Sequence, residues 1–389
     1  RSSYPVWRSM AIMATAGMLA ISMPTHAAYP PEINLSELNG SNGFVLNGIN
    51  VIDFTGQAVS DAGDINGDGI TDTLIGAPGA NKDNTYEGAG ATYVVFGRDT
   101  ASEGGFPASV ELSSLDGSNG FVINGVNVYD STGNSVSGAG DVNGDGLSDL
   151  IIGGGGVSPN GASYVVFGRD TDTVGDFPAA IELVALDGSN GFVINGVNAG
   201  DRSGASVSGA GDVNGDGIAD LIIGAWGAEP SGYESGASYV VFGRDTATDG
   251  NFPATFELSA LNGTNGFAIN GIAGDPGTGP GASVGGSVSG DGDLNGDGIS
   301  DVIVGAGSAS PNGIYSGSSY VVFGRDTTTQ GDFPASIELS ALNGSNGFVL
   351  NGENVNDRAG SAVSVAGDLY GDDFADILIG ADGTDTGTT

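Results

Sequence analysis

An all-β fold, and within it a β-propeller of four-stranded antiparallel blades, is what this 389-residue sequence predicts. Three observations carry that prediction. The string Asp-x-Asn-Gly-Asp-Gly-x-x-Asp starts at Asp64, Asp141, Asp212 and Asp293, with a weaker copy at Asp368, so one unit recurs every 71 to 81 residues. Between copies, short β-branched and aromatic runs follow one another in constant order, separated by Gly and Asn-Gly. No 3.6-residue apolar period runs through them, which argues for strands and against helices. Finally, 73 glycines coexist with 39% hydrophobic residues, a composition that fits neither collagen nor a disordered linker and can bury a core. A blade buries its faces against its neighbours, and a unit this long suits a blade better than the short rung of a parallel β-helix.

The first element in order is a leader. Arg8 precedes the apolar run Met10 to Met23, followed by Pro24 and the small-x-small site Thr25-His26-Ala27, so residues 1–27 read as an export signal peptide. The run has 14 residues, short of the ~20 that a membrane span needs. Cleavage after Ala27 removes the sole histidine and leaves 7 basic residues against 47 acidic ones. Serine-histidine triads, histidine-bound zinc and histidine acid/base chemistry are then excluded by inventory. The absence of Cys excludes thiolate nucleophiles, disulfides and cysteine-bound zinc. A net charge of -38 makes nucleic acid and anionic membranes poor partners, and cations or cationic ligands good ones. The mature chain is expected to be secreted or held at the cell surface, without a membrane span.

Residues 28–389 form the repeat region. In one unit the parts are Leu150-Ile151-Ile152-Gly153, a variable loop, Gly161-Ala162-Ser163-Tyr164-Val165-Val166-Phe167-Gly168, a long connection, and Gly191-Phe192-Val193-Ile194-Asn195-Gly196. The small-residue run Gly204-Ala205-Ser206-Val207-Ser208-Gly209 then opens the next unit. That makes four strands per unit. Counting a fourth strand at Phe44, four full sets and two strands around Asp368 gives five partial or complete blades, one strand short of a closed five-bladed ring. An open arc with exposed edges is expected.

Two spacings separate a constant face from a variable one. The Phe ending the third strand and the Phe opening the fourth are 25 apart in every unit, as in Phe96 to Phe121 and Phe167 to Phe192. The connection between them carries Phe-Pro pairs (Phe106, Phe177, Phe252, Phe333) and Glu-Leu pairs such as Glu182-Leu183, and is expected to cover the blade's outer edge. Length varies elsewhere: from loop Asp to third-strand Phe it runs from 26 to 32, and from fourth-strand Phe to the next loop Asp it is 20 or 26. In antiparallel strands those two connections emerge on one side, opposite the acidic loops. The Arg-Asp pairs at Arg98, Arg169, Arg244 and Arg325 suggest a blade-edge ion pair. The sequons at Asn39, Asn262 and Asn343 alternate with Asp116 and Asp187, so turn chemistry explains them better than glycosylation.

The acidic loop offers hard oxygens suited to Ca²⁺. Asp64, Asn66, Asp68 and Asp72 occupy positions 1, 3, 5 and 9, the carbonyl of Ile70 lies at position 7, and Gly69 permits the turn at position 6. The corresponding sets are Asp141, Asn143, Asp145, Leu147, Asp149; Asp212, Asn214, Asp216, Ile218, Asp220; and Asp293, Asn295, Asp297, Ile299, Asp301. No Glu stands at position 12 and strands flank the loop, so a hairpin-borne site is expected rather than a helix-loop-helix. A bare Asn-Gly turn would not require the position-9 Asp. The copy at 368–376 replaces Asn by Tyr370 and the turn Gly by Asp373, and is expected to bind weakly or not at all.

Strand-ending Phe-Gly (Phe96-Gly97, Phe167-Gly168, Phe242-Gly243, Phe323-Gly324), Gly76-Ala77-Pro78 and the acidic loops between them resemble the FG-GAP repeats of the integrin alpha-chain amino-terminal propeller. The resemblance covers residues 32 to 389. It implies a seven-bladed propeller, of which this chain is a fragment, with calcium in the hairpins between strands one and two and ligand binding on the opposite face, often for adhesion. Pro is absent from the later Gly-Ala-Pro positions, such as Gly224-Ala225-Trp226.

The functional expectation is therefore an exported, non-enzymatic, calcium-binding module that holds an extracellular protein or glycan. Its ligand site is expected on the variable face around Tyr86, Glu87, Tyr129, Asp130, Trp226, Glu229, Tyr233, Glu234 and Tyr315, where aromatic rings beside carboxylates suit a cationic side chain or a sugar. The alternatives are the propeller part of a secreted hydrolase or lyase, and a purely structural surface protein.

Overall fold

The computed structural model of the chain describes residues 10–11, 17–21, 32–81, 88–156, 161–273 and 283–383. It is an all-β propeller assembly. The first complete blade runs through strands Val59–Gly63, Asp72–Ala77, Ala91–Val95 and Gly120–Asn124, all antiparallel. Three further blades repeat the pattern, with inner strands Ser135–Gly140, Ser206–Gly211 and Ser287–Gly292 and outer strands Gly191–Asn195, Gly266–Asn270 and Gly347–Asn351. A hairpin of Ala359–Val365 and Ile377–Ala381 follows the fourth blade.

The inner strands stand side by side along the chain of blades. Their Ser-Val-Ser-Gly composition is what allows this. The Ser135 hydroxyl accepts from Val207 N–H at 3.0 Å and the Ser206 hydroxyl from Val288 N–H at 3.1 Å, so the serines bond one inner strand to the next. A Cβ at Gly209 would stand 2.9 Å from the Gly138 carbonyl, so larger side chains would push the strands apart.

The core lies between blades. Leu74, Val94, Phe121 and Ile123 of the first blade pack with Leu150, Ile152, Tyr164 and Val166 of the second. Ile151, Val165, Phe192 and Ile194, from the other face of the second blade, pack with Leu221, Ile223 and Val241 of the third. Both faces of each middle strand are buried, which is why these strands read as continuous apolar runs rather than alternating ones.

Three features differ from the sequence reading. The long connection covers an outer edge, but that of the preceding blade. Its segment Ala180–Glu182 adds a fifth, parallel strand to Gly120–Asn124, and Thr255–Glu257 and Ser336–Glu338 do the same for the next two blades. The Glu of each clamps the terminal Asn of the strand it covers, Asn124 Nδ2 donating to Glu182 at 2.9 Å and Asn195 Nδ2 to Glu257 at 2.8 Å. The same connections hold one-turn helices, Thr171–Val174, Thr246–Asp249 and Thr327–Gln330. Asp170, Asp245 and Asp326 cap them through their side chains, a local bond that outweighs the strand bias of the surroundings.

The third difference concerns residues 17–21, which the sequence reading placed in the leader: Phe44–Asn47, apart from the hairpin around Asp368 as the open arc requires, lies in a sheet with them. It pairs in parallel with Ser109–Glu111 and antiparallel with Gly17–Ile21. Gly17 pairs with Asn47 and Ala20 with Phe44, the same register in which Ala91 meets Asn124 and Val94 meets Phe121. Residues 17–21 thus hold the position of a third strand, and Met10–Ala11 pairs beyond it.

Candidate metal-binding loops and the opposite face

Each acidic loop joins an inner strand to the second strand of its blade and folds around its own first carboxylate. Asp64 Oδ1 accepts from the N–H groups of Gly67 at 2.8 Å and Asp68 at 3.0 Å, and Oδ2 from Gly69 at 2.8 Å. Asp68 Oδ1 accepts from Ile70 N–H at 2.8 Å. The loops at Asp141, Asp212 and Asp293 repeat this pattern. Gly67 and Gly69 hold φ of 79° and 82°, a region open to glycine, which explains the Asn-Gly-Asp-Gly spelling.

The position-9 carboxylates are the buried members. Asp72, Asp149, Asp220 and Asp301 are at most 1% exposed. Asp72 Oδ2 accepts from Ile65 N–H at 3.0 Å and Oδ1 from Gly97 N–H at 2.8 Å. Gly168, Gly243 and Gly324 make the equivalent bond to Asp149, Asp220 and Asp301 at 2.9 Å. The glycine of each Phe-Gly is therefore a lid over the loop: a Cβ at Gly97 would meet the Thr71 carbonyl at 2.6 Å, and one at Gly168 the Ser148 carbonyl at 2.5 Å.

Burial first, and then Asp68 and Asp64, push the Asp72 carboxyl up to about 7, against the two N–H bonds. The same causes raise Asp301 to about 6, and Asp149 and Asp220 well above the usual carboxylate range. Protein countercharge is committed elsewhere. Arg98, Arg169, Arg244 and Arg325 lie 4.3 to 5.5 Å over the rings of Phe106, Phe177, Phe252 and Phe333, while Arg202 covers Trp226 at 4.4 Å and Arg358 covers Tyr315 at 5.6 Å. The Arg-Asp pairs are thus split, the arginine stacking on a ring while the aspartate of the later three caps a helix.

Among the described residues no three acidic side chains converge into a ready-made metal cage. The donor set nonetheless fits a hard divalent cation. It consists of oxygens alone, its buried carboxylates lack a cationic partner, and each oxygen bonded to one N–H keeps a second lone pair. In the fifth copy Asp373 takes the glycine position with φ 71°, and Asp376 is half-exposed, accepting from Leu369 N–H at 2.6 Å.

On the variable face the expected ligand residues fall into separate groups. Tyr86 and Glu87 lie outside the described residues. Tyr233, 51% exposed, bonds to the Glu234 carboxylate, which raises its hydroxyl pKa, and Glu229 and Tyr315 add to that field. Trp226 is 37% exposed beneath Arg202. Tyr129 is exposed, whereas its neighbour Asp130 is buried and accepts from the Asn127 N–H and side-chain amide at 3.1 and 2.9 Å, shaping the loop. Sequence reasoning missed a cleft of about 960 Å³ beside the first blade, lined by Asn50, Asp53, Tyr93, Asn124 and Glu182. Its only signal was the recurring Asn-x-x-Asp turn, as at Asn50 and Asp53.

The FG-GAP repeat family matches residues 58–95 and 203–241, each stretch spanning an inner strand, its acidic loop and the following two strands. Over 211 residues, 52% of this chain, the sequence is 28% identical to integrin alpha-5 of Xenopus laevis. It is 29% identical over 185 residues to integrin alpha-PS5 of Drosophila melanogaster, and 26% over 187 residues to integrin alpha-IIb of Mus musculus, 48% and 47% of this chain. The matched parts are 17%, 16% and 16% of those relatives, so the chain spans a minor share of their length. No helix among the described residues is long and apolar enough to cross a membrane. With its blades, its acidic hairpin loops and the Phe-Gly glycines that close them, this chain carries FG-GAP repeats and is similar to integrin alpha chains.

Proposed function

We propose that the protein is an exported calcium-binding propeller that works as an extracellular binding or adhesion module and performs no catalysis of its own. Residues 1–27 act as its leader and residues 28–389 as the binding module. The reading is supported most by the four buried position-9 carboxylates, each in the field of two further carboxylates of its own loop. Calcium would supply the missing positive charge, held by the Asp and Asn side chains at positions 1, 3, 5 and 9 and the position-7 carbonyl. The protein or glycan ligand takes the opposite face, where Tyr233 and Tyr315 stand beside Glu229 and Glu234 and Trp226 is exposed beneath Arg202.

The two parts are tested together. Millimolar calcium should raise the melting temperature and a chelator should collapse it; a melting temperature indifferent to both ends the calcium assignment. Replacing Trp226 and Tyr233 by Ala should abolish attachment to an extracellular-matrix or cell-surface preparation while leaving calcium-dependent melting intact. Attachment that follows loop substitutions alone would place the site on the other face.

A further inference from the structure

We infer that the acidic loops at 64–72, 141–149 and 212–220 are latches between blades, so that a cation held in one blade fixes the docking of the next; the inference rests on the calcium reading above. The loop has two sides. Its carboxylates turn inward, whereas its first three backbone carbonyls turn outward and are taken by the following blade. Ser148 N–H donates to the Asp64 carbonyl at 3.2 Å, Arg169 N–H to Ile65 at 2.9 Å, and Thr171 N–H to Asn66 at 3.0 Å. The Thr171 hydroxyl adds a second bond to the Asn66 carbonyl, also at 3.0 Å.

The next two loops repeat all four contacts. Ala219, Arg244 and Thr246 grip the Asp141, Val142 and Asn143 carbonyls, and the Thr246 hydroxyl donates at 3.0 Å. Ser300, Arg325 and Thr327 grip those of Asp212, Val213 and Asn214, with the Thr327 hydroxyl at 3.1 Å. Contact is close enough to forbid a side chain at position 4. A Cβ on Gly67, Gly144 or Gly215 would stand 3.2, 2.9 or 2.8 Å from the Cα of Asp170, Asp245 or Asp326 in the following blade.

Among the described residues only Ala375 N–H, at 3.0 Å, reaches the Asp293 carbonyl of the fourth loop, and the ring of Phe374 stands over Gly296. Among the described residues three loops are therefore latched by a Phe-Gly-Arg-Asp-Thr turn.

The physical consequence is coupling. An empty loop holds three mutually repelling carboxylates, and its carbonyls keep their aim only as well as the loop keeps its shape. A cation bound at positions 1 to 9 fixes that shape and with it the three carbonyl acceptors that the next blade needs. Linkage makes the effect mutual: whatever docking gains from the cation, the cation gains from docking.

The test uses the full chain and amide hydrogen exchange across a calcium titration, with a chelator as the reference. Calcium should protect the loop peptides at 64–72, 141–149 and 212–220 and, at the same midpoints, the segments at 169–176, 244–251 and 325–332 in the following blades. Thr171→Val should shift the midpoint of loop 64–72 upward about two- to tenfold, the span of one hydrogen bond. It should leave loop 293–301 unchanged, and Thr171→Ser should restore the original midpoint. If the loops gain protection while segments 169–176, 244–251 and 325–332 do not, and Thr171→Val moves no midpoint, the latch is overturned and the calcium reading stands. If calcium protects nothing, the calcium reading and the latch fall together.

Discussion

At the scale of residues, the Phe-Gly glycine and the position-9 aspartate form one device. The N–H of Gly168 needs to reach the Asp149 carboxylate, and no side chain fits because the Ser148 carbonyl stands 2.5 Å from where a Cβ would go. Gly168→Ala should therefore lower stability by about 1–3 kcal/mol, read by denaturant melting, with loop 141–149 the first region to lose exchange protection. The loop spacing was legible in the sequence because cation ligands must recur at fixed offsets. The reason for Phe-Gly was not legible, since Gly97 and Asp72 are 25 residues apart and meet only when the third strand pairs with the second. The same aspartates set a pH dependence. Burial raises Asp72 to about 7 from an ordinary 3.8, so the folded chain holds a proton that the unfolded chain has already lost. That contribution is complete below about pH 4 and is lost as pH climbs toward 7. In chelator the melting temperature should fall between pH 4 and 7, whereas saturating calcium, which favours the ionised form, should flatten or reverse the slope.

Among elements, the connection after each third strand decides how blades join. Phe252 stacks on Phe192 of the preceding blade at 4.2 Å and lies 6.0 Å from Phe167, while Arg244 covers its other side at 4.8 Å. Truncating it removes a 3%-exposed ring shared by two blades, so Phe252→Ala should cost about 3–5 kcal/mol. Phe348 offers the comparison. Among the described aromatic rings it meets only Phe323, at 5.8 Å, and is partly exposed, so Phe348→Ala should cost clearly less in the same denaturant titration. Equal losses would mean that the inter-blade stack carries no special weight. The recurring Phe-Pro and Glu-Leu pairs showed that this segment covers an edge. They could not show which edge, because a three-residue strand such as Ala180–Glu182 has no pattern that names its partner. The one-turn helices escaped for a related reason: four residues are too few to show a period, and only the capping Asp before Thr marked them.

For the molecule as a whole, repetition made the architecture readable while the ends of the repeat region did not follow from it. Counting strands left Phe44–Asn47 apart from the hairpin at Asp368, as it is, but gave it no third strand, yet it pairs with Gly17–Ile21 in the register of one. The vacancy beside an outer strand is thus specific enough to receive a segment whose sequence does not belong to the repeat. Backbone pairing needs only an extended chain, which residues 17–21 supply. Loss of residues 1–27 on export would leave one side of Phe44–Asn47 with open N–H and C=O groups, and an uncovered edge recruits another strand. A chain beginning at residue 28 should therefore self-associate more strongly than the full chain, in a concentration-dependent way by sedimentation. A peptide of residues 10–21 added in trans should return it to the behaviour of the full chain, and a scrambled peptide should not. If the trimmed chain associates no more than the full one at every concentration and melts like it, residues 17–21 cover nothing that the folded protein needs covered, and the register match has no consequence in solution.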